Sequence, residues 1–138
     1  GIREMVRVTR PGGVVAATVW DFGGARAPLS TFWRAVRDLD PDAETEDALT
    51  GARSGDLVSL LTDAGLRDVK QAELDVSRPY PGFDAWWEPY TLGVGPAGDH
   101  VAKLDAEART RLRERCREIL PPGPFTIGAV AWAARGIR

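Results

Sequence analysis

Apolar positions along the chain change their period several times, and each change marks an element. Ile2, Met5 and Val6 recur at i, i+3 and i+4, which predicts one face of a helix. No Ser, Thr, Asp or Asn precedes them as a cap, so this opening reads as the last two turns of a longer helix, the alternative being a processed start with a frayed first turn. Arg10-Pro11-Gly12-Gly13 suits a type II turn, in which proline presets φ at the second position and glycine accepts a positive φ at the third. Val14 to Trp20 is rich in β-branched residues, almost wholly apolar and without polar alternation. It predicts a strand covered on both faces inside a parallel or mixed sheet. Asp21-Phe22-Gly23-Gly24 closes that strand as a loop.

Ser30 is positioned to cap a helix carrying Phe32, Trp33, Val36 and Leu39, which must end at Asp40-Pro41 because proline disfavours a helical residue before it. The acidic stretch from Pro41 to Asp47 reads as a solvated loop. Ser54 is the candidate cap of a second helix with Leu57, Leu60, Leu61 and Ala64 on one face, closed by Gly65 in a left-handed cap. Val69 to Val76 alternates as a half-buried strand with an irregularity near Gln71. Arg78 to His100 is dense in aromatics, proline and glycine, and a short helix around Asp84 to Tyr90 is expected there, set in loops. Asp105 caps a last helix with an apolar stripe of Ala108, Leu112, Cys116, Ile119 and Leu120, ended by Pro121-Pro122; Phe125 to Arg135 forms a final strand. Strands interleaved with helices predict a layered α/β sheet.

Composition narrows the class without naming a chemistry. The 138 residues are 43% hydrophobic and 28% charged, which describes one ordinary globular domain. Eighteen Lys and Arg stand against 20 Asp and Glu, mixed along the chain, so there is no electrostatic footprint for nucleic acid. The longest apolar runs, Val14 to Trp20 and Ala129 to Ala134, fall far short of the ~18 residues of a membrane span. One cysteine, no leader and no asparagine for glycosylation point to a reducing cytoplasm.

Single residues carry little further. Gly93-Val94-Gly95-Pro96-Ala97-Gly98 spells the dinucleotide fingerprint, but an aromatic segment precedes it where a buried strand is required, and Pro96 lacks a donor for phosphate. His100, the only histidine, excludes a histidine metal cluster. It reads as a solvent-facing loop residue, its nearness to Trp86 to Tyr90 being the one reason to consider it a base. Cys116 sits on an apolar stripe, the setting of a small buried hydrophobe and not of a nucleophile. Arg109, Arg111, Arg113, Arg115 and Arg117 spread around an exposed helical arc, with Glu107 to Arg111 as an i, i+4 pair. The aromatics from Tyr80 to Tyr90 fit two readings, core filling or the walls of a small-molecule pocket. No paired carboxylates, nucleophile elbow or cysteine cluster is present, so the residue inventory contains no evident catalytic apparatus.

The strongest signal is the wording of two segments. Glu4-Met5-Val6-Arg7-Val8-Thr9-Arg10-Pro11-Gly12-Gly13-Val14-Val15 resembles the helix, R-x-L-R-P-G-G turn and fifth strand of class I S-adenosylmethionine-dependent methyltransferases. Leu57 to Val69 resembles that superfamily's later helix and its L-L-x-x-A-G-F-x-x-V approach to the sixth strand. Thr9 replaces the usual leucine and Leu66 the usual phenylalanine. Order and spacing agree over essentially the whole chain.

The resemblance implies an α/β fold, a partial Rossmann-like sheet of strands five, seven and six, with strand seven (Phe125 to Arg135) inserted antiparallel between Val14 to Trp20 and Val69 to Val76. Flanking helices and a lid-like aromatic insertion complete it. Residues 1–138 would be the C-terminal part of a methyltransferase domain, lacking the glycine-rich half that binds S-adenosylmethionine. What remains resembles the acceptor side, and Trp20, Asp21, Trp33, Trp86, Trp87, Tyr90 and His100 are the positions expected to line a small-molecule acceptor pocket. Methyl transfer requires in-line positioning of both reactants, so this portion is expected to be inactive by itself. Strand five would expose an edge to the missing N-terminal half or to a second copy. The rival expectation is a non-enzymatic half-domain that binds an apolar ligand or a partner chain.

Overall fold

The apolar run after the Pro-Gly-Gly turn forms β1 (Val14–Trp20), which pairs antiparallel with β3 (Phe125–Ile137) from Val14 opposite Ile137 to Trp20 opposite Ala131. In the computed structural model, which describes residues 1–138, β3 lies between β1 and β2 (Arg67–Tyr80), and the three-stranded sheet is antiparallel. The expected parallel or mixed setting for β1 is therefore corrected, while the expected middle strand is in the middle. Six helices accompany the sheet: α1 (Ile2–Val8), α2 (Ser30–Leu39), α3 (Asp56–Asp63), α4 (Phe83–Trp87), α5 (Gly95–Lys103) and α6 (Ala106–Ile119). Short 3-10 turns occupy Glu46–Ala48 and Glu88–Leu92. No helix is long and apolar enough to cross a membrane.

The chain forms two compact units. One comprises Gly1–Ala27, Asp47–Val76 and Ala129–Arg138; the other comprises Pro28–Glu46 and Ser77–Gly128.

In the first unit the core joins Val15, Leu57, Leu61, Leu66, Trp132 and Ala134, with Ile2, Val6, Ala17, Val19 and Val69 packed against it. Both α1 and α3 thus cover the same face of the sheet. The opposite face carries Val14, Ala16, Thr18 and Trp20 of β1, all exposed, with Leu74 and Val76 of β2. Cover on both faces of β1 is the second expectation overturned. An uninterrupted apolar run reports that no strand position is strongly polar; it does not report whether anything lies on each face.

Local signals fared unevenly. Gly12 has φ +75°, with Gly13 N donating to Arg10 O at 2.8 Å, as a type II turn requires. Gly65 takes φ +85° after α3, and Asp105 Oδ1 accepts from Ala108 N at 2.8 Å to cap α6. Ser30 and Ser54 do not act as caps. The cap positions fall on Leu29 and Gly55, and Gly55 N instead donates to Gln71 Oε1 at 3.0 Å, while Gln71 Nε2 donates to Ser54 Oγ. A side chain from a neighbouring strand has replaced the local cap. β2 also runs without a break past Gln71 and on to Tyr80; Pro79 is tolerated because β2 is an edge strand.

Candidate functional site

The second unit is assembled around aromatic rings. Phe32 stacks on Tyr90 at 4.6 Å between centroids, Trp33 meets Phe32 edge-on at 5.0 Å, and Trp86 and Trp87 contact Tyr90 at 4.9 and 6.0 Å. Trp33, Trp86, Trp87 and Tyr90 are buried, so of the two readings of this segment the rings fill the interior. The Tyr90 phenol is driven strongly upward in pKa, chiefly by burial. Trp33 Nε1 donates to Glu46 Oε2 at 2.8 Å, which anchors one end of the acidic loop, while Pro41, Asp42 and Glu44 in it are exposed as expected.

His100 lies within α5, not in a loop, because a helix does begin inside the Gly93–Gly98 segment. Its ring meets Phe32 and Trp33 edge-on at 6.2 and 5.9 Å. Burial lowers its pKa from the ordinary value; nearby Asp40 works against that and Lys103 with it. Neither ring nitrogen has a hydrogen-bond partner in the protein. His100 and Asp40 open onto a hollow of about 460 Å³ walled by Val36, Leu39, Leu104, Ala108 and Leu112, with Arg111 at its rim. Of the seven positions expected to line an acceptor pocket, His100 lines this one.

The arginines of α6 are less free than their spacing suggested. Arg111 bonds Glu107 at 3.1 Å as expected, but Arg115 reaches Asp38 on α2 at 2.6 Å, and Arg113 and Arg117 both reach Asp84 on α4 while lying over the Phe83 ring. Cys116 is fully buried and its thiol is pushed up to about 12 by burial, against a smaller opposing pull from Arg115.

Trp20 and Asp21 belong to the first unit. Trp20 is exposed on the open sheet face. Asp21 is buried, its Oδ2 accepting from Arg26 Nε at 2.6 Å and its Oδ1 from Gly24 N at 2.9 Å; Arg26 forks onward to both oxygens of Glu73 at 3.0 Å. Burial pushes the Asp21 carboxyl upward, but these bonds outweigh it and hold the group below its ordinary value. Trp132 Nε1 lies beside the same carboxylate outside hydrogen-bond geometry. The Asp21-Arg26-Glu73 chain has no local signature, since Glu73 lies 47 residues beyond Arg26.

The residues present do not fit a methyl-donor site. The turn at Gly93–Gly98 follows a 3-10 helix instead of a strand, and Gly98 is glycine because a Cβ there would meet the Gly93 backbone at 2.9 Å. Asp21, the acidic residue directly following a strand, has both oxygens committed to Arg26 and Gly24. No group of His, Cys, Asp and Glu is placed to hold a metal ion. No protein-family profile matches the chain, and no curated protein matches it in sequence.

Proposed function

We propose that this chain is the C-terminal, acceptor-binding part of a cytoplasmic S-adenosylmethionine-dependent methyltransferase with a Rossmann-like sheet. One observation carries the reading: the strand order β1-β3-β2, with the last strand in sequence inserted antiparallel between the other two. That is the arrangement implied for strands five, seven and six. The Pro11-Gly12-Gly13 turn into β1 and the left-handed Gly65 before β2 support it at the two segments that carry the resemblance.

When bound, the donor would supply an electrophilic methyl group on sulfonium; on this reading the residues that grip it are not among these 138. This chain contributes the acceptor side, and the free edge of β1 is where the rest of the sheet, or a second copy, would pair. Calorimetry tests the division of labour. S-adenosylmethionine should give no heat with this chain and should bind the native cellular polypeptide once its mass and N-terminal sequence are known. Donor binding by residues 1–138 alone, or a native product without a glycine-rich segment upstream, overturns the proposal.

A second reading, a non-enzymatic module that binds a partner chain, is favoured by the exposed apolar face bearing Val14, Trp20, Leu74 and Val76. Sedimentation discriminates. Association at tens of micromolar that Val14→Lys abolishes, together with a native product of this length, supports it.

A further inference from the structure

We propose that the hollow between α2, α5 and α6 binds a small neutral phenol, its ring against the aliphatic walls and its hydroxyl donating to His100. As a substrate class this rests on the methyltransferase reading; as a binding site it does not.

The walls set the first constraint. Val36 from α2 and Leu104, Ala108 and Leu112 from the α5–α6 side present hydrocarbon, so the body of the ligand must be apolar. Charge sets the second. The carboxylate of Asp40 and the guanidinium of Arg111 oppose one another in sign, and each is engaged: Asp40 Oδ1 accepts from Asp42 N at 3.1 Å and Arg111 is held by Glu107. At His100, Lys103 acts against Asp40. The two charges lining the hollow sum to zero, so the lining gives no net attraction to a ligand of either sign.

His100 sets the third constraint. Its ring lies edge-on against Phe32 and Trp33, and burial disfavours its charged form, so its neutral ring offers one nitrogen to accept a hydrogen bond that nothing in the protein supplies. A ligand that offers one donor and no charge completes it. A phenolic hydroxyl is a stronger donor than an aliphatic alcohol, and its ring supplies the apolar body that the aliphatic walls require.

Because His100 is the only histidine, its ring resonances report the site without ambiguity. Titrating the chain with 2-naphthol should shift the His100 ring signals and the Leu104 and Ala108 amides, with naphthalene binding at least about tenfold more weakly. His100→Phe should bring 2-naphthol down to the naphthalene level, His100→Gln should restore part of the preference, and Ala108→Trp should exclude both by filling the hollow. Circular dichroism establishes that each variant is folded. Absent shifts at His100, equal affinity for the two probes, or binding indifferent to Ala108→Trp overturns the proposal. If 2-naphthol binds through His100 but the native polypeptide fails to bind S-adenosylmethionine, the site stands and the methyltransferase reading falls. If the native polypeptide methylates 2-naphthol with His100→Gln and Ala108→Trp both silent, the reverse holds.

Discussion

Arg26 Nε donates to Asp21 Oδ2 at 2.6 Å, which places a carboxylate that is 97% shielded from water against a guanidinium that is partly exposed. The bond closes the loop that leaves β1, and Gly24 N donates to the other oxygen. Asp21→Asn should therefore destabilise the chain by about 2 kcal/mol at pH 7, a figure reduced from that of a fully buried pair because Arg26 keeps contact with solvent. Urea midpoints measure it.

The same carboxyl sets a pH limb. Its folded pKa lies below the ordinary 3.8, so between the two values the unfolded chain binds more protons and stability rises with pH. The contribution is fully present above about pH 5 and is lost as pH falls through the folded value. Midpoints of the native chain and of Asp21→Asn, measured from pH 6 down to pH 2, should converge at the acid end. A constant separation would show that Asp21 does not titrate as its partners require.

Trp33 Nε1 and Glu46 predict a smaller effect in the second unit. Trp33→Phe leaves the Glu46 carboxylate without its donor and should cost about 1–2 kcal/mol, whereas Glu46→Gln keeps an acceptor and should cost roughly half as much. A loss for Trp33→Phe with none for Glu46→Gln would mean that the ring's packing against Phe32 dominates and the bond contributes little.

Gly98→Ala reverses the usual helix rule. Alanine normally favours a helix over glycine by about 1 kcal/mol, yet a Cβ at this position meets Gly93 backbone atoms at 2.9, 3.1 and 3.3 Å. The substitution should destabilise by about 1–3 kcal/mol in thermal melts. A stabilised variant would show that the Gly93 backbone gives way to the added methyl group.

Cys116 should be inert in the folded chain. Its thiol is shielded completely and raised to about 12, so alkylation at pH 8 should run at least about a hundredfold slower than in urea. Rapid labelling of the native chain would place the side chain outside the core.

Elements whose signals are local were legible in the sequence: the β1 run, the Pro-Gly turn, the Asp105 cap and Gly65. Periodicity located α2, α3 and α6 within a residue or two. What escaped was relational. Ser30 and Ser54 have the right chemistry for caps, but Gln71 occupies the α3 start from a different element, and only the folded register puts it there. The Gly and Pro residues that crowd the segment before His100 predict a loop there; Pro96 instead enters the first turn of α5, where proline is well tolerated. The Asp21-Arg26-Glu73 chain and the Glu46 bond to Trp33 join segments with no pattern in common, so no spacing could have announced them. Of the expected acceptor-lining positions, the hollow uses His100, since ring size marks a residue as aromatic without saying whether it faces a void or another ring.

Gln71 has a consequence for the sheet as a whole. Its amide ties β2 to the start of α3, with Val69 and Glu73 on the same side reaching the core and Arg26. Sliding β2 by one residue would drive Lys70 into hydrocarbon, turn Val69 to water and sever both amide bonds at once. The strand therefore resists the register slip that an exposed edge strand would otherwise permit.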